Sequence, residues 1–162
     1  MILGVDHVGV LTSDLAKAGR HLDSVGLVKT EEGTAEAYGV ACEFYQLTDD
    51  PAAFAVELVA PVREDAVVNG RLKKNGPGPY HIALEVDDIE AELLRLRASG
   101  FMPLDNVPCA GARDGMRVAF VYLGKATGLL IELVQYDVPR RPPPGGASPC
   151  ARHDQVASLA HE

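Results

Sequence analysis

Two histidines and two glutamates in this chain have the types and spacing that bind a divalent metal ion. His7 and Glu57 are 50 residues apart, and His81 and Glu132 are 51 apart. Imidazole nitrogen and carboxylate oxygen suit Zn, Fe, Co, Ni or Mn rather than a soft ion held by thiolates. Two carboxylates would balance the ion's charge, and water would fill the remaining positions. An open position is what makes a metal site catalytic rather than structural. Taken singly, each residue has a blander explanation. A lone His on a strand is more often an ordinary core or surface residue. A Glu in Val56-Glu57-Leu58-Val59 also fits the solvent face of an alternating strand.

What changes the odds is that the pattern occurs twice. Val5-Asp6-His7-Val8-Gly9-Val10 aligns with Pro79-Tyr80-His81-Ile82-Ala83-Leu84 at an offset of 74. The same offset relates Asp14 to Asp88 and Gly26 to Gly100. Val56-Glu57-Leu58-Val59 matches Ile131-Glu132-Leu133-Val134 at an offset of 75. Each half opens on a strand with one His and closes on a strand with one Glu. Two such halves usually pair about a pseudo-twofold axis, which would bring all four side chains to one point. Related halves that have lost the metal remain a third possibility.

The elements that must position these residues are legible. Residues 3–11 alternate, and Thr12-Ser13-Asp14 can cap a helix. Leu15, Ala18, Leu22 and Val25 follow at helical spacing, and Gly26 is a natural stop. In the second half, Asp87 with Glu90 forms a capping pair. Ile89, Leu93 and Leu96, with Leu94 as a further candidate, supply the apolar stripe of that helix, and Gly100 ends it. Strand-like runs lie near 27–31, 38–47 and 54–60, then near 101–105, 117–123 and 128–136. Each half therefore reads β-α-β-β-β. The chain divides into a first module over 1–62, a connector over 63–78, a second module over 79–137 and a tail over 138–162. A short helix is expected around 64–73, and Asn75-Gly76-Pro77-Gly78-Pro79 is a sharp break. The Pro-rich tail is expected to be poorly ordered, with no role for its Cys150, His153 and His161.

Composition sets the outer bounds. Of the 162 residues, 47% are hydrophobic and 23% charged, enough for a real core. The formal net charge of −8 disfavours nucleic acid and anionic membranes as partners. It leaves open an anionic small molecule that meets a local basic patch. No run of about 18 apolar residues exists to span a membrane. Cys42, Cys109 and Cys150 are odd in number and form no CxxC pair, which argues for a reducing, cytoplasmic setting and against a disulfide framework. The N-terminus has no signal-peptide pattern.

These segments resemble the vicinal oxygen chelate superfamily (glyoxalase, bleomycin-resistance and dioxygenase proteins), and within it the methylmalonyl-CoA epimerases. The resemblance is carried by Asp6-His7-Val8-Gly9-Val10, by His81-Ile82-Ala83-Leu84-Glu85-Val86-Asp87-Asp88-Ile89, and by Gly128-Leu129-Leu130-Ile131-Glu132-Leu133-Val134-Gln135. Leu72-Lys73-Lys74-Asn75-Gly76 adds the connector. The resemblance implies an α+β fold in which two paired βαβββ modules form a curved, cupped mixed sheet around the site. It places the metal on His7, Glu57, His81 and Glu132, and it implies a homodimer. The implied reaction is epimerisation of an acyl-CoA or similar α-substituted carbonyl compound, with Glu132 as one catalytic base.

Epimerisation needs an acid or base on each face of the substrate. Some epimerases place a second catalytic Glu on the strand after Gly-Val. Here Gly39-Val40-Ala41 is followed by Cys42 and then Glu43, and strand alternation lets only one of the two point inward. Glu43 is the carboxylate available for that role; an exposed strand Glu is the alternative, and if Cys42 holds the inward register the second base is missing. Lys125 and Thr127 lie in a loop that could touch a carboxylate or phosphate, and Arg113 and Arg117 are further candidates. Two other functions stay open. One is another metal enzyme on this scaffold, such as a glyoxalase-like lyase or a biosynthetic tailoring enzyme. The other is a metal-free small-molecule binding or resistance protein.

Overall fold

The computed structural model describes residues 1–144. The first half runs β1 (Ile2–Leu11), α1 (Leu15–Ser24), β2 (Val28–Ala35), β3 (Val40–Gln46) and β4 (Ala55–Pro61). A connecting helix, α2 (Asn69–Asn75), leads into β5 (Gly78–Val86) and α3 (Ile89–Ala98). The second half closes with β6 (Met102–Pro103), β7 (Cys109–Ala110), β8 (Met116–Tyr122) and β9 (Leu130–Tyr136). The expected β-α-β-β-β order holds in both halves, with two adjustments. Only two residues of the expected 101–105 strand pair, and β7 adds a short ladder on β8. The connector helix begins at Asn69 rather than near 64.

Helix capping corrects another expectation. The cap of α3 is Asp88, which accepts the Ala91 amide at 2.9 Å, just as Asp14 accepts the Lys17 amide at 2.9 Å in α1. Asp87 instead binds the N-terminal amine. The two caps obey the same 74-residue offset as the histidines.

All nine strands form one mixed, open sheet in the order β2-β3-β4-β1-β5-β9-β8-β6, with β7 beside β8. β1 pairs with β4 in parallel and β5 pairs with β9 in parallel, while β1 and β5 meet antiparallel at the centre. The pseudo-twofold axis therefore passes between β1 and β5. Leu72 of α2 packs on the inner side, while helices α1 and α3 cover the outer face. There Ile89, Leu93 and Leu96 of α3 pack on Ala119, Val121, Ile131 and Leu133. The sheet curls strongly enough that its two ends approach each other. A β-carbon on Gly33 of β2 would lie 1.8 Å from the carbonyl oxygen of Ala112 in the β7–β8 loop. Tyr38 packs against the inward-facing cores of both halves. Among the described residues, no helix is long and apolar enough to cross a membrane.

Candidate metal centre and pocket

Strand register brings the four expected donors together. In one row across the sheet, Phe44, Glu57, Gly9 and His81 are successive cross-strand partners. In the next, Phe120, Glu132, Ala83 and His7 are partners in the same way. Paired residues point to the same face, so the His of each half projects beside the Glu of the other. Each row thus contains both halves, and neither half can build the site alone.

The ligand atoms of His7, Glu57, His81 and Glu132 all lie within 4.8 Å of one another, and all four residues are buried. The two Nε2 atoms are 3.1 Å apart. Glu132 Oε2 sits 2.9 Å from His7 Nε2 and 3.0 Å from His81 Nε2. Glu57 Oε2 sits 3.3 and 3.2 Å from the same atoms. Despite this crowding, Glu57 Oε2 and Glu132 Oε2 are buried without a hydrogen-bond partner. Two buried carboxylate oxygens facing two imidazole nitrogens, with nothing to satisfy them, fit a divalent cation by charge and by ligand chemistry.

The electrostatics agree. Burial alone would lower the pKa of His7, but the charge on Glu57, the hydrogen bond to Asp6 and the nearby Glu132 carboxylate hold it well above its ordinary value. Burial likewise opposes a charge on His81, and Glu132 and Glu57 overcome it. Burial would raise both glutamates, yet the two imidazoles keep them below the usual carboxylate range. The cluster is a concentration of charge awaiting either protons or a metal.

Each imidazole is oriented differently. His7 Nδ1 lies 2.8 Å from Asp6 Oδ2. Asp6 can reach it because the β1–β5 ladder shifts register between Val5 and His7, leaving Asp6 as the extra residue of a bulge. Asp6 also accepts from Arg113 at 3.0 Å, from Tyr136 Oη at 3.2 Å and from Arg141 at 2.6 Å. His81 Nδ1 has no hydrogen-bond partner among the described residues. Its ring is held by packing, edge-on to Phe120 at 5.3 Å and to Tyr80 at 5.1 Å. Gly9 makes the room, since a β-carbon there would be 2.2 Å from His81 Cε1.

Beside the cluster a pocket of about 390 Å³, counted out to its mouth, is lined by Glu57, His81 and Glu132 on one side. Cys42, Tyr80, Met116 and Phe120 are among the residues that complete the wall, and the lining contains no Lys or Arg. Cys42 thus holds the inward register on β3. Burial and the neighbouring Glu57 push its thiol well up, so it stays protonated.

That register moves Glu43 out of the site. Glu43 lies on the α1 side of the sheet, bonded to Tyr45 Oη at 2.8 Å and to Lys29 Nζ at 3.3 Å. Arg117 is likewise on the outer face, paired with Glu90 of α3. Arg113 is buried behind His7, with its guanidinium 3.7 Å above the Phe44 ring. Lys125 and Thr127 lie in the β8–β9 turn; Thr127 Oγ1 is bound to the turn's own backbone, at 3.2 Å from Leu123 O. The structure therefore does not bring Glu43 or Arg117 to the pocket. Sequence reasoning missed Asp6, the bulge and Arg141, and it took Arg113 for a substrate contact rather than a partner of Asp6. The pair Asp6-His7 was the available signal.

The profile of the glyoxalase/bleomycin resistance protein/dioxygenase superfamily matches residues 6–120. The chain belongs to this superfamily. Among superfamily members, the mouse mitochondrial methylmalonyl-CoA epimerase is 31% identical over 133 residues, covering 81% of this chain and 72% of the mouse protein. The ethylmalonyl-CoA/methylmalonyl-CoA epimerase of Cereibacter sphaeroides is 32% identical over 138 residues, covering 83% of this chain and 99% of that protein. A variant of Streptomyces coelicolor methylmalonyl-CoA epimerase, solved in complex with 2-nitronate-propionyl-CoA, superposes with a TM-score of 0.77 at 29% identity. That match covers 85% of this chain and 100% of the other.

Proposed function

We propose that this chain is a metal-dependent epimerase or isomerase that removes the proton α to the carbonyl of an acyl-CoA, with methylmalonyl-CoA as the first candidate. The observation that supports it is the buried convergence of His7, Glu57, His81 and Glu132, with two unsatisfied carboxylate oxygens at the cluster and both glutamates lining one pocket. The epimerase relatives point to the same chemistry. A divalent ion held by these four residues supplies Lewis-acid polarisation of the substrate carbonyl and so lowers the cost of removing the α-proton. Glu132 is the base; it lines the pocket, and its Oε2 is buried between the two imidazoles with no hydrogen bond of its own. Tyr80, Met116 and Phe120 shield the reacting carbon from water. Lys125, on the turn that follows β8, is the cation proposed to meet a carboxylate or phosphate of the substrate outside the pocket, and Thr127 holds that turn through its backbone bonds.

One observation favours a second reading. Cys42 stands where a second base would stand, and a thiol kept protonated by burial donates a proton but does not remove one. Chemistry on one face then suits a glyoxalase-like lyase or a biosynthetic tailoring enzyme on the same scaffold. One experiment separates the readings. Purified protein loaded with Co or Mn is incubated with one epimer of methylmalonyl-CoA in deuterated water. Deuterium incorporation with epimer interconversion supports the epimerase. Incorporation without interconversion supports one-sided chemistry, and no incorporation with metal bound removes this substrate.

A further inference from the structure

We propose that Arg141 is a positioning residue for the metal centre, acting through Asp6 on His7. The proposal rests on the metal reading above, and its first readout does not need the metal.

The sequence places Arg140 and Arg141 at the start of a Pro-rich tail, where no structural task is evident. In the fold, both guanidiniums turn back onto the body. Arg140 binds Glu31 through two nitrogens at 3.0 and 2.9 Å. Arg141 goes deeper. Its NH1 group lies 2.6 Å from Asp6 Oδ1 and 2.8 Å from Glu85 Oε2. Its NH2 group donates to the Ala52 carbonyl at 2.8 Å. Asp6 is 1% exposed and Glu85 is fully buried, so two carboxylates there require a cation.

The groups that Arg141 binds, which also include the Ala53 carbonyl at 3.4 Å, are not arbitrary. Asp6 precedes His7 on β1, Glu85 shares β5 with His81, and Ala52 lies in the loop that enters the strand of Glu57. One guanidinium therefore ties together the backbones that carry three of the four donors. Gly4 leaves space for it: a β-carbon there would sit 2.9 Å from Arg141 Cδ.

The consequence falls on the tautomer of His7. Asp6 Oδ2 receives Arg113 and Tyr136 as well as His7, while Oδ1 is held by Arg141. With both oxygens pinned, the carboxylate cannot rotate away from His7 Nδ1. Nδ1 then carries the proton and donates it to Asp6, which leaves the Nε2 lone pair aimed at the cluster. A carboxylate behind a metal-binding imidazole fixes ring orientation and raises its basicity as a ligand.

The test uses the full chain and three variants, Arg141→Ala, Arg141→Lys and Arg140→Ala. Side-chain nitrogen NMR of metal-free protein at alkaline pH reads the His7 tautomer. The parent and Arg140→Ala show one Nδ1–H form, and Arg141→Ala shows a mixture. Competition with a chelator then reads Co(II) affinity, which falls by about 10- to 100-fold in Arg141→Ala and stays near the parent in Arg140→Ala. Arg141→Lys keeps the charge but cannot bridge three acceptors; it folds and sits between the two. It carries the test if Arg141→Ala is unfolded. An unchanged His7 tautomer and unchanged Co(II) affinity in both Arg141 variants would overturn the proposal. A parent chain that shows the single Nδ1–H form, lost in Arg141→Ala, but takes up no metal would refute the metal reading instead, and with it the role of Arg141 at a metal centre.

Discussion

The two halves of this molecule supply the same donors but support them by different physics. In the first half, His7 is fixed by charge: a buried carboxylate behind it, held in turn by Arg113 and Arg141. In the second half, Tyr80 occupies the position equivalent to Asp6, and His81 is fixed by aromatic edges and by the absence of a side chain on Gly9. The duplicated pattern repeats the four donors and lets their support diverge. One imidazole is therefore sensitive to electrostatics and the other to volume.

The largest effect should come from a residue that both halves share through the site. Glu132→Gln keeps the shape but removes the carboxylate proposed as the base, and α-proton exchange into deuterated water should fall about 10²- to 10⁴-fold, as followed by mass spectrometry. Next comes the polar support. Asp6→Asn removes the buried carboxylate that Arg113 and Arg141 share, leaving Arg113 only Glu31 and Arg141 only Glu85, which should cost about 3–5 kcal/mol in denaturant unfolding. The equivalent change in the other half, Tyr80→Phe, should stay within about 0.5 kcal/mol. Similar costs at the two positions would erase the distinction between the halves. Volume gives the reverse contrast. Gly9→Ala drives a methyl group into the His81 ring and should cost about 1–3 kcal/mol together with tight metal binding. Ala83→Gly, opposite His7, should cost about 1 kcal/mol and keep the metal, which calorimetry can read directly.

A smaller effect concerns pH. His7 and His81 have folded pKa values raised by the facing glutamates. In metal-free protein their contribution to stability is therefore complete below about pH 6.5 and is lost as pH rises through the folded values. Metal affinity should run the other way and increase with pH over the same window, because protons and metal compete for the imidazoles. Asp6 is depressed, despite a burial that would raise it, by His7 and the arginines. Its contribution should persist until pH falls below about 3.9. Melting temperatures across pH, with and without metal, test both signs. The smallest effect is expected at Glu43, where Glu43→Gln should leave α-proton exchange within about twofold, since its carboxylate faces α1.

How much of this was legible in the chain follows from which signals are periodic. The repeat exposed both His strands, both Glu strands and both helices, because strand alternation and helical spacing are local and were written twice. The four donors followed from pairing the two halves. Local signals failed where geometry departs from the regular pattern. The bulge at Asp6 puts adjacent residues of one strand to work on the same side, which alternation forbids. Cys42 and Glu43 could not be separated, because alternation fixes their opposition but not its phase. Arg141 was unreadable: its partners lie 135 and 56 residues away along the chain. The same is true of Arg117, whose outward direction depends on the phase of β8. The cap of α3 was misjudged between neighbouring aspartates, although the offset that links Asp14 to Asp88 already favoured the correct one.

Anomalous diffraction from crystals grown with Co(II) tests the central claim most directly. The account predicts a single strong peak about 2 Å from His7 Nε2, His81 Nε2 and one oxygen each of Glu57 and Glu132. Density with no peak there at full Co(II) loading, or a peak held by a different set of side chains, would contradict it.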